Sequence, residues 1–245
     1  MNKLARKFYD LAIVEGEGLG TVYEYLAKYR LLNKIMPKNR KLKVLIAGLP
    51  ERYGYSLDFI TFCEENNCDY EIVDERADKL NALKMILEKI HKDPGPVGLC
   101  SLLDTECVYA NKHFDLALSC EVLQRLSLDN QIQYTRSLKR IAKKVIFFAP
   151  NGNNKSHETY SGLSAINMTE LISQICAADG YKYRDAGYMD IPPWPPGAKN
   201  NPLKGVIGRA ICSISLNILH IFSIIEPFYP KSVKSKYAHL IYIII

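Results

Sequence analysis

The segment Lys43–Ile60 constrains the fold of this chain more than any other stretch. It begins with the continuous apolar run Val44–Ala47, which lacks the polar–apolar alternation of a half-exposed strand. Such a run is typical of a strand that is buried on both faces of a parallel sheet. The run ends at Gly48, a short loop follows, and Ser56–Cys63 has the pattern of the first turns of a helix. A strand, a glycine turn and a helix in this order bring backbone N–H groups and a helix N-terminus to a nucleotide-like ligand.

The next predicted strand ends in a candidate ribose-binding carboxylate. Asp69–Val73 is followed directly by Asp74 and Glu75. Their separation from Gly48 is close to the ~20 residues at which such a carboxylate is expected. An acidic residue suits this position because a carboxylate accepts both hydroxyl protons of a ribose diol. We predict that Asp74, which directly follows the strand, makes this contact, and Glu75 is the alternative.

A third segment, Phe114–Leu123, reads FDLALSCEVL and predicts a fourth strand with the turn after it. Together with the two segments above, it resembles the class I S-adenosylmethionine-dependent methyltransferases. The likeness is closest to the small-molecule, methyltransferase type 11-like branch, whose corresponding line reads FDLVLSSEVLEHL. It covers roughly residues 43–150. The glycine motif departs from the family pattern, because Ile46 stands where an acidic residue is usual and Pro50 where a second glycine is usual.

The resemblance implies a Rossmann-like class I methyltransferase fold, an α/β fold with helices on both faces of a seven-stranded, mostly parallel sheet. Its last strand is expected to run antiparallel between strands five and six. The resemblance also implies S-adenosylmethionine as the cofactor, S-adenosylhomocysteine as the product, and no metal. Asp104 fits a family position that bonds the adenine amino group, although a solvated loop carboxylate is the alternative there. The candidate cofactor-binding residues are Gly48, Leu49, Pro50, Gly54, Tyr55, Asp74, Glu75, Asp104, Ser119, Cys120 and Glu121.

Periodicity and breaker residues predict the remaining elements. Helices are expected over 3–36 with a break at 15–20, and over 77–91, 129–142 and 169–178; strands are expected over 96–103, 145–149, 181–189 and 237–245. We predict that residues 1–42 form an N-terminal helical lid or substrate-binding extension. Residues 43–245 would form the methyltransferase-like domain, with a helical insertion at about 197–230. The alternative is that the N-terminal helices pack permanently on the sheet.

Methyl transfer needs no universal catalytic residue, because the protein mainly holds donor and acceptor together in a dry pocket. Where the acceptor carries an acidic proton, a nearby base assists. We predict His157 and Glu121 as catalytic candidates, although His157 could be structural and Glu121 could cap a helix. The candidate substrate-binding residues are Tyr9, Tyr23, Asn151, His157 and Trp194. The loop 51–55 is expected to wrap the amino-acid end of the cofactor.

Composition limits the classes of function. The 48% hydrophobic content of the 245 residues supports a real core, and a net charge of +6 is compatible with an anionic substrate or membrane surface but is too weak to indicate nucleic acid. The seven cysteines show no C-x-x-C spacing, so we expect reduced thiols in a cytoplasmic protein without a metal site. We predict a methyltransferase for a small or lipid-like acceptor, with a homodimer or a peripheral membrane contact as further options. The alternatives are a degenerate relative that binds nucleosides weakly or not at all, and a membrane-surface protein whose residues 203–228 form an interfacial helix.

Overall fold

A seven-stranded sheet organises the chain in the computed structural model, which describes residues 3–37, 40–93, 95–177, 180, 182–193 and 205–245. Of residues 176, 177 and 205–209 it describes the backbone only. The strands are β1 (Lys43–Ala47), β2 (Asp69–Asp74), β3 (Val97–Leu99), β4 (Phe114–Cys120), β5 (Ala142–Pro150), β6 (Asp185–Met189) and β7 (Leu240–Ile244). Their order in the sheet is β3-β2-β1-β4-β5-β7-β6. β7 runs antiparallel to both of its neighbours, while the other pairings are parallel. The predicted fold class is therefore confirmed, including the position of the last strand.

Helices cover both faces of this sheet. They are α1 (Lys3–Val14), α2 (Leu19–Ile35), α3 (Leu57–Glu65), α4 (Ala77–Lys89), α5 (Leu128–Ile141), α6 (Lys155–Ser161), α7 (Met168–Ala177), α8 (Gly205–Ile225) and α9 (Lys231–Tyr237). Short 3₁₀ helices lie at Leu102–Cys107, Leu123–Arg125 and Glu226–Phe228.

Two hydrophobic clusters hold the layers together, one on each face of the sheet. Successive strand residues point to opposite faces, so Leu45 packs with α5 and α7, while Ile46 packs with α1–α4 and α8. Both side chains are fully buried, which stabilises the fold by about 1.5–3 kcal/mol for each. This double burial explains why β1 is apolar without alternation.

The N-terminal helices contribute to the first of these clusters. Phe8 of α1 and Leu26 of α2 are fully buried in it. The Phe8 ring packs edge-on against Tyr25 and Tyr29 of α2. The two helices thus lie against the sheet face together with α8, and whether they open as a lid stays a prediction.

Four predicted elements have other bounds in the structure. The fifth strand begins at Ala142, where pairing with β4 starts, and not at Val145. The third strand is shorter than 96–103, because residues from Leu102 on form a 3₁₀ turn that buries Leu102 and Thr105 on one side. The sixth strand begins at Asp185, where pairing with β7 starts. The seventh strand begins at Leu240, because Lys231–Tyr237 forms the helix α9. Its sequence, KSVKSKY, has too few apolar residues to show a helical period.

Candidate functional site

The carboxyl end of β2 presents Asp74, the predicted ribose ligand. Its side chain is fully buried, and it accepts hydrogen bonds from the amide of Leu49 (2.6 Å) and from the amide and guanidinium of Arg76 (2.8 Å each). Burial alone would raise the pKa of Asp74, but the bonds from Arg76 and Leu49 outweigh it and lower the pKa. Protein donors therefore already engage both oxygens of this carboxylate.

Gly48 turns the chain out of β1 with a positive φ of 79°, which favours glycine. A Cβ atom here would lie 2.6 Å from Cγ2 of Val122 and 3.1 Å from Cδ1 of Leu102. The amide of Gly48 donates to the carbonyl of Val73 (2.8 Å), which ties the turn to β2. Gly48 thus lets the side chains of Leu102, after β3, and Val122, after β4, come close to its backbone.

The residue after β4, Glu121, adopts a left-handed backbone with φ of 55°. Such a conformation is uncommon outside glycine, and outliers of this kind cluster at functional sites. The Glu121 side chain is buried, and its Oε2 has no hydrogen-bond partner among the described residues. Burial, reinforced by Glu24, raises the pKa of Glu121 to about 8. The carboxyl group is therefore mostly protonated at neutral pH.

Two residues that follow Glu121 closely in the sequence, Gln124 and Arg125, also carry polar atoms without hydrogen-bond partners in the described part of the chain. These are the buried amide atoms of Gln124 and the Nε and Nη2 atoms of Arg125. Arg125 Nη2 lies 3.8 Å from Asp74 Oδ2 and 3.6 Å from Glu75 Oε1, which are ion-pair distances beyond hydrogen-bonding range. Buried polar groups without partners are costly, so each of these atoms requires a partner such as ordered water or a polar ligand.

A buried charge pair connects this edge to the N-terminal helices. Lys28 of α2 lies 2.9 Å from Asp58 at the start of α3 and 2.7 Å from Glu24, and its ammonium is 3.7 Å from Cys120 Sγ. Burial opposes the charge of Lys28, but Asp58 and Glu24 outweigh it and raise the pKa of Lys28 well above its ordinary value. The ammonium therefore stays charged and fixes α2 to the end of β4.

A second polar cluster follows from the pairing of β6 with β7. Because Met189 pairs with Leu240, Asp190 and His239 come next in register, and His239 Nδ1 lies 3.1 Å from Asp190 Oδ2. Burial disfavours the imidazolium, but the Asp190 carboxylate outweighs burial and raises the pKa of His239. Glu226, after α8, accepts the amide of Asp190 at 2.7 Å.

The predicted residues His157 and Tyr23 both join this second cluster. The His157 ring stacks on His239 with centroids 4.0 Å apart. Burial and the neighbouring His239 lower the pKa of His157 to about 3, so its ring is neutral. Tyr23 is fully buried, and burial followed by the nearby Glu226 carboxylate raises the pKa of its hydroxyl.

The loop after β1 is hydrogen-bonded on both of its sides. The guanidinium of Arg52 and the hydroxyl of Tyr53 donate to the carbonyl of Ser161 at the end of α6, at 3.3 and 3.0 Å. On the other side, the amide of Tyr55 donates to Glu15 at 2.6 Å, and burial raises the pKa of Glu15 to about 8. The loop therefore joins α6 to the turn between α1 and α2.

The other predicted site residues that the structure describes already contact other parts of the protein. Ser119 Oγ lies 2.9 Å from the hydroxyl of Tyr134 on α5, and the Asn151 amide group donates to the carbonyls of Ser235 and Ala238. Asp104 is exposed and accepts a hydrogen bond from Ser101, while Tyr9 of α1 is buried and contacts Cys212 of α8. Pro50 is buried, and Gly54 approaches the hydroxyl of Tyr25. Trp194 lies outside the described residues.

Sequence reasoning missed several groups at these two clusters. Lys28 could have been noticed as a charge within the apolar helix face that includes Val22, Tyr25 and Leu32. The Asp190–His239 pair follows from an antiparallel β6–β7 pairing, had the register been drawn. The sequence does not indicate that Arg76 is the partner of Asp74, because this contact depends on the conformation of the Arg76 side chain. Within the described residues, no group of three or more His, Cys, Asp or Glu side chains could hold a metal ion.

Comparison with known proteins agrees with this architecture. No family model matches the sequence, and no curated protein sequence matches it. Among solved structures, an S-adenosylmethionine-dependent methyltransferase from Archaeoglobus fulgidus is similar with a TM-score of 0.56 at 14% identity, covering 91% of this chain and 93% of the other. Geranyl diphosphate C-methyltransferase from Streptomyces coelicolor A3(2), solved with Mg²⁺, geranyl diphosphate and S-adenosyl-L-homocysteine, is similar with a TM-score of 0.53 at 11% identity, covering 89% and 78%.

The architecture is thus the Rossmann-like fold of the class I S-adenosylmethionine-dependent methyltransferases. The groups at the carboxyl edge fit a polar nucleoside in kind, since they include a carboxylate, a carboxamide and a guanidinium. Their positions fit less well, because the guanidinium of Arg76 already binds the carboxylate of Asp74. The side chains of Val122 and Arg125 fill the space next to Gly48. The site therefore has side chains of the kinds that bind a nucleoside, but in this structure they contact one another.

Proposed function

We propose that this protein is an S-adenosylmethionine-dependent methyltransferase that acts on a small or lipid-like acceptor. The observation that carries the proposal is the set of buried polar atoms without hydrogen-bond partners on Glu121, Gln124 and Arg125, which follow β4, with Arg125 lying 3.8 Å from Asp74. They lie at the carboxyl edge of the sheet, where open α/β folds bind their ligands. An enclosed set of unsatisfied groups at that edge is best explained by a polar ligand that satisfies them.

In this proposal the chain holds the cofactor with groups from two strand ends, those of β2 and β4. Asp74 would take the ribose hydroxyls once Arg76 moves aside, and Gln124 and Arg125 would bond other polar atoms of the nucleoside. The bound cofactor supplies an electrophilic methyl group on a sulfonium. Protonated Glu121 adds no negative charge and can donate a hydrogen bond. The loop that carries Arg52 and Tyr53 would keep water from this edge.

The second cluster is the proposed acceptor side. His239, oriented by Asp190 at 3.1 Å, could accept a proton from an acceptor hydroxyl or acidic carbon. Its own partner fixes the ring, and the neutral His157 stacked on it adds no competing charge. Tyr23 and Glu226 line the same cluster. The arrangement corresponds to a histidine base held by a carboxylate.

One observation favours a second candidate function, a methyltransferase-like protein that binds no nucleoside. Both oxygens of Asp74 are engaged by Leu49 and Arg76. A ribose would have to displace charge-assisted hydrogen bonds, each of which stabilises the closed form by about 1.5–3 kcal/mol. The two functions differ in whether a nucleoside can open this arrangement.

Calorimetric titration with S-adenosylhomocysteine tests the proposal. The wild-type protein should bind it, and Asp74→Asn should bind it at least about tenfold more weakly, since one charge-assisted bond corresponds to roughly that factor. Arg76→Ala should bind it about tenfold more tightly, because the competing partner of Asp74 is gone. Lys84→Ala is the matched control, since Lys84 is exposed on α4, the helix that begins directly after Arg76. Absence of binding to both the wild type and folded Arg76→Ala would reject the proposal in favour of the second candidate.

A further inference from the structure

The outward side of α8, continued by Phe228, is mainly apolar, with the exposed polar side chain of Asn217 among its isoleucines. Five isoleucines and one phenylalanine along it are each more than 40% exposed: Ile211 (46%), Ile214 (59%), Ile221 (52%), Ile224 (45%), Ile225 (43%) and Phe228 (82%). We call this surface the isoleucine face. Single exposed apolar side chains are ordinary, but a stripe of them along one helix marks an interaction surface.

The opposite side of α8 is fastened to the protein. Leu216 and Leu219 are fully buried, and Arg30 of α2 hydrogen-bonds Ser223 and His220 at 3.0 Å. Glu226 accepts the amide of Asp190 at the end of β6. In the described chain one segment, Ala210–Phe228, is long and apolar enough to cross a membrane by length and composition. These inner contacts argue against such a crossing, because a spanning helix would have to leave them.

Positive charge borders one end of the isoleucine face. Helix α9 follows directly and carries Lys231, Lys234 and Lys236, with Tyr237 half exposed beside them. Lys234 donates to the carbonyl of Pro227 at 3.0 Å, which places its ammonium next to Phe228. The sequence of α8 contains no acidic residue, and the Glu226 that follows is buried. An apolar face with an aromatic end and adjacent lysines is complementary to lipid chains below an anionic headgroup layer.

We propose that the isoleucine face docks on the surface of an anionic lipid bilayer, with α8 in the plane of the membrane and the α9 lysines at the headgroups. A single helix face can bury its isoleucines in the boundary between headgroups and acyl chains without leaving the protein. The inner side of the same helix reaches the Asp190–His239 cluster through Glu226. Docking would therefore bring the bilayer to the helix that is followed directly by Glu226, a member of that cluster. This inference stands apart from the proposed function.

Vesicle co-sedimentation of the full chain tests the apolar contact. The protein should bind vesicles of phosphatidylcholine with about 30 mol% phosphatidylserine, and more weakly those of phosphatidylcholine alone. The triple substitution Ile214→Ser, Ile221→Ser and Phe228→Ser should weaken binding at least about tenfold, since each removes buried apolar area.

The matched control removes equally exposed apolar side chains elsewhere, with Met85→Ser, Val108→Ser and Leu128→Ser. It should bind vesicles like the wild type. Equal weakening by both triple variants, or no binding of the wild type to anionic vesicles, would overturn the proposal. Thermal unfolding of each variant ensures that the comparison is between folded proteins.

Charge reversal tests the electrostatic contact. Lys231→Glu with Lys236→Glu should weaken binding to the anionic vesicles at least about tenfold and reduce its dependence on salt. Sedimentation velocity tests whether a second copy of the chain covers the isoleucine face instead. If the wild type is a dimer that does not bind vesicles, and the triple isoleucine-face variant is a monomer, the face would be a dimer interface and the proposal would be overturned. S-adenosylhomocysteine titration of the same variant separates the two proposals, because its nucleoside affinity should be that of the wild type.

Discussion

Replacing Glu121 by Gln should stabilise the protein, and increasingly so as the pH rises. Glu121 is buried with an unpaired Oε2, among Glu24, Lys28, Glu51 and Glu17. Burial raises its pKa from the ordinary 4.5 to about 8. Between these two values the native state holds a proton that the unfolded state releases. The free energy of unfolding therefore falls as the pH rises through this window. Glutamine stays neutral and avoids this loss.

The size of the effect follows from the same shift. The difference between a pKa of 4.5 and one of about 8, at about 1.4 kcal/mol per pH unit, corresponds to roughly 5 kcal/mol when Glu121 is fully ionised. Relaxation and water entry reduce this upper bound. We expect Glu121→Gln to gain about 2–4 kcal/mol at pH 9 and less than about 1 kcal/mol at pH 5. Glu15, whose pKa burial also raises to about 8, keeps its own pH dependence in the variant.

Urea unfolding from pH 5 to pH 9 measures this difference. Glu88→Gln on the exposed side of α4 is the matched control, because it removes a carboxylate that is not buried. It should change the free energy of unfolding little at any pH. A constant gain for Glu121→Gln across the range, or none, would refute the reasoning that burial holds this carboxyl group in its neutral form.

Two further variants test packing at the same edge. Lys28→Met should cost about 3–5 kcal/mol, because it leaves the buried Asp58 charge without its partner; urea unfolding should show that adding Asp58→Asn recovers much of the loss, and no recovery would contradict the pairing. Gly48→Ala should destabilise by more than Gly180→Ala, since both have positive φ but only Gly48 has a neighbour within 2.6 Å of the added methyl group. The clash adds about 1–3 kcal/mol, and equal losses in thermal unfolding would argue that Val122 moves aside freely.

The sheet was predictable because its central strands are buried on both faces. Val44–Ala47 is apolar throughout, and Phe114–Cys120 is apolar except at Asp115 and Ser119, a pattern that is typical of strands inside a parallel sheet. Elements with weaker tertiary constraint were predicted less well. α9 is short and rich in lysine, and its inner side carries no buried side chain that would reveal a helical period. Its identity as a helix depends on its position between α8 and β7.

Predicting the site required knowledge of distances that the sequence does not contain. Asp74 could be located because strand ends in this topology meet at one edge of the sheet. Its bond to Arg76 depends on a side-chain conformation, and the Lys28–Asp58 pair depends on how α2 packs against α3. His157 was selected for its place after β5. Its partner His239 comes from the opposite end of the domain in sequence and meets it only through β7.

The position of β7 between β5 and β6 also determines the order in which the molecule can assemble. β6 has no strand partner other than β7 in the described sheet. During synthesis it therefore cannot join the sheet until α8, α9 and β7 have emerged from the ribosome. Pairing over such a distance along the chain is slow. Asp190 meets His239 only at that step. The helix with the isoleucine face is thus made before the edge of the sheet is complete, and we expect this interval to be when the nascent chain depends most on chaperones.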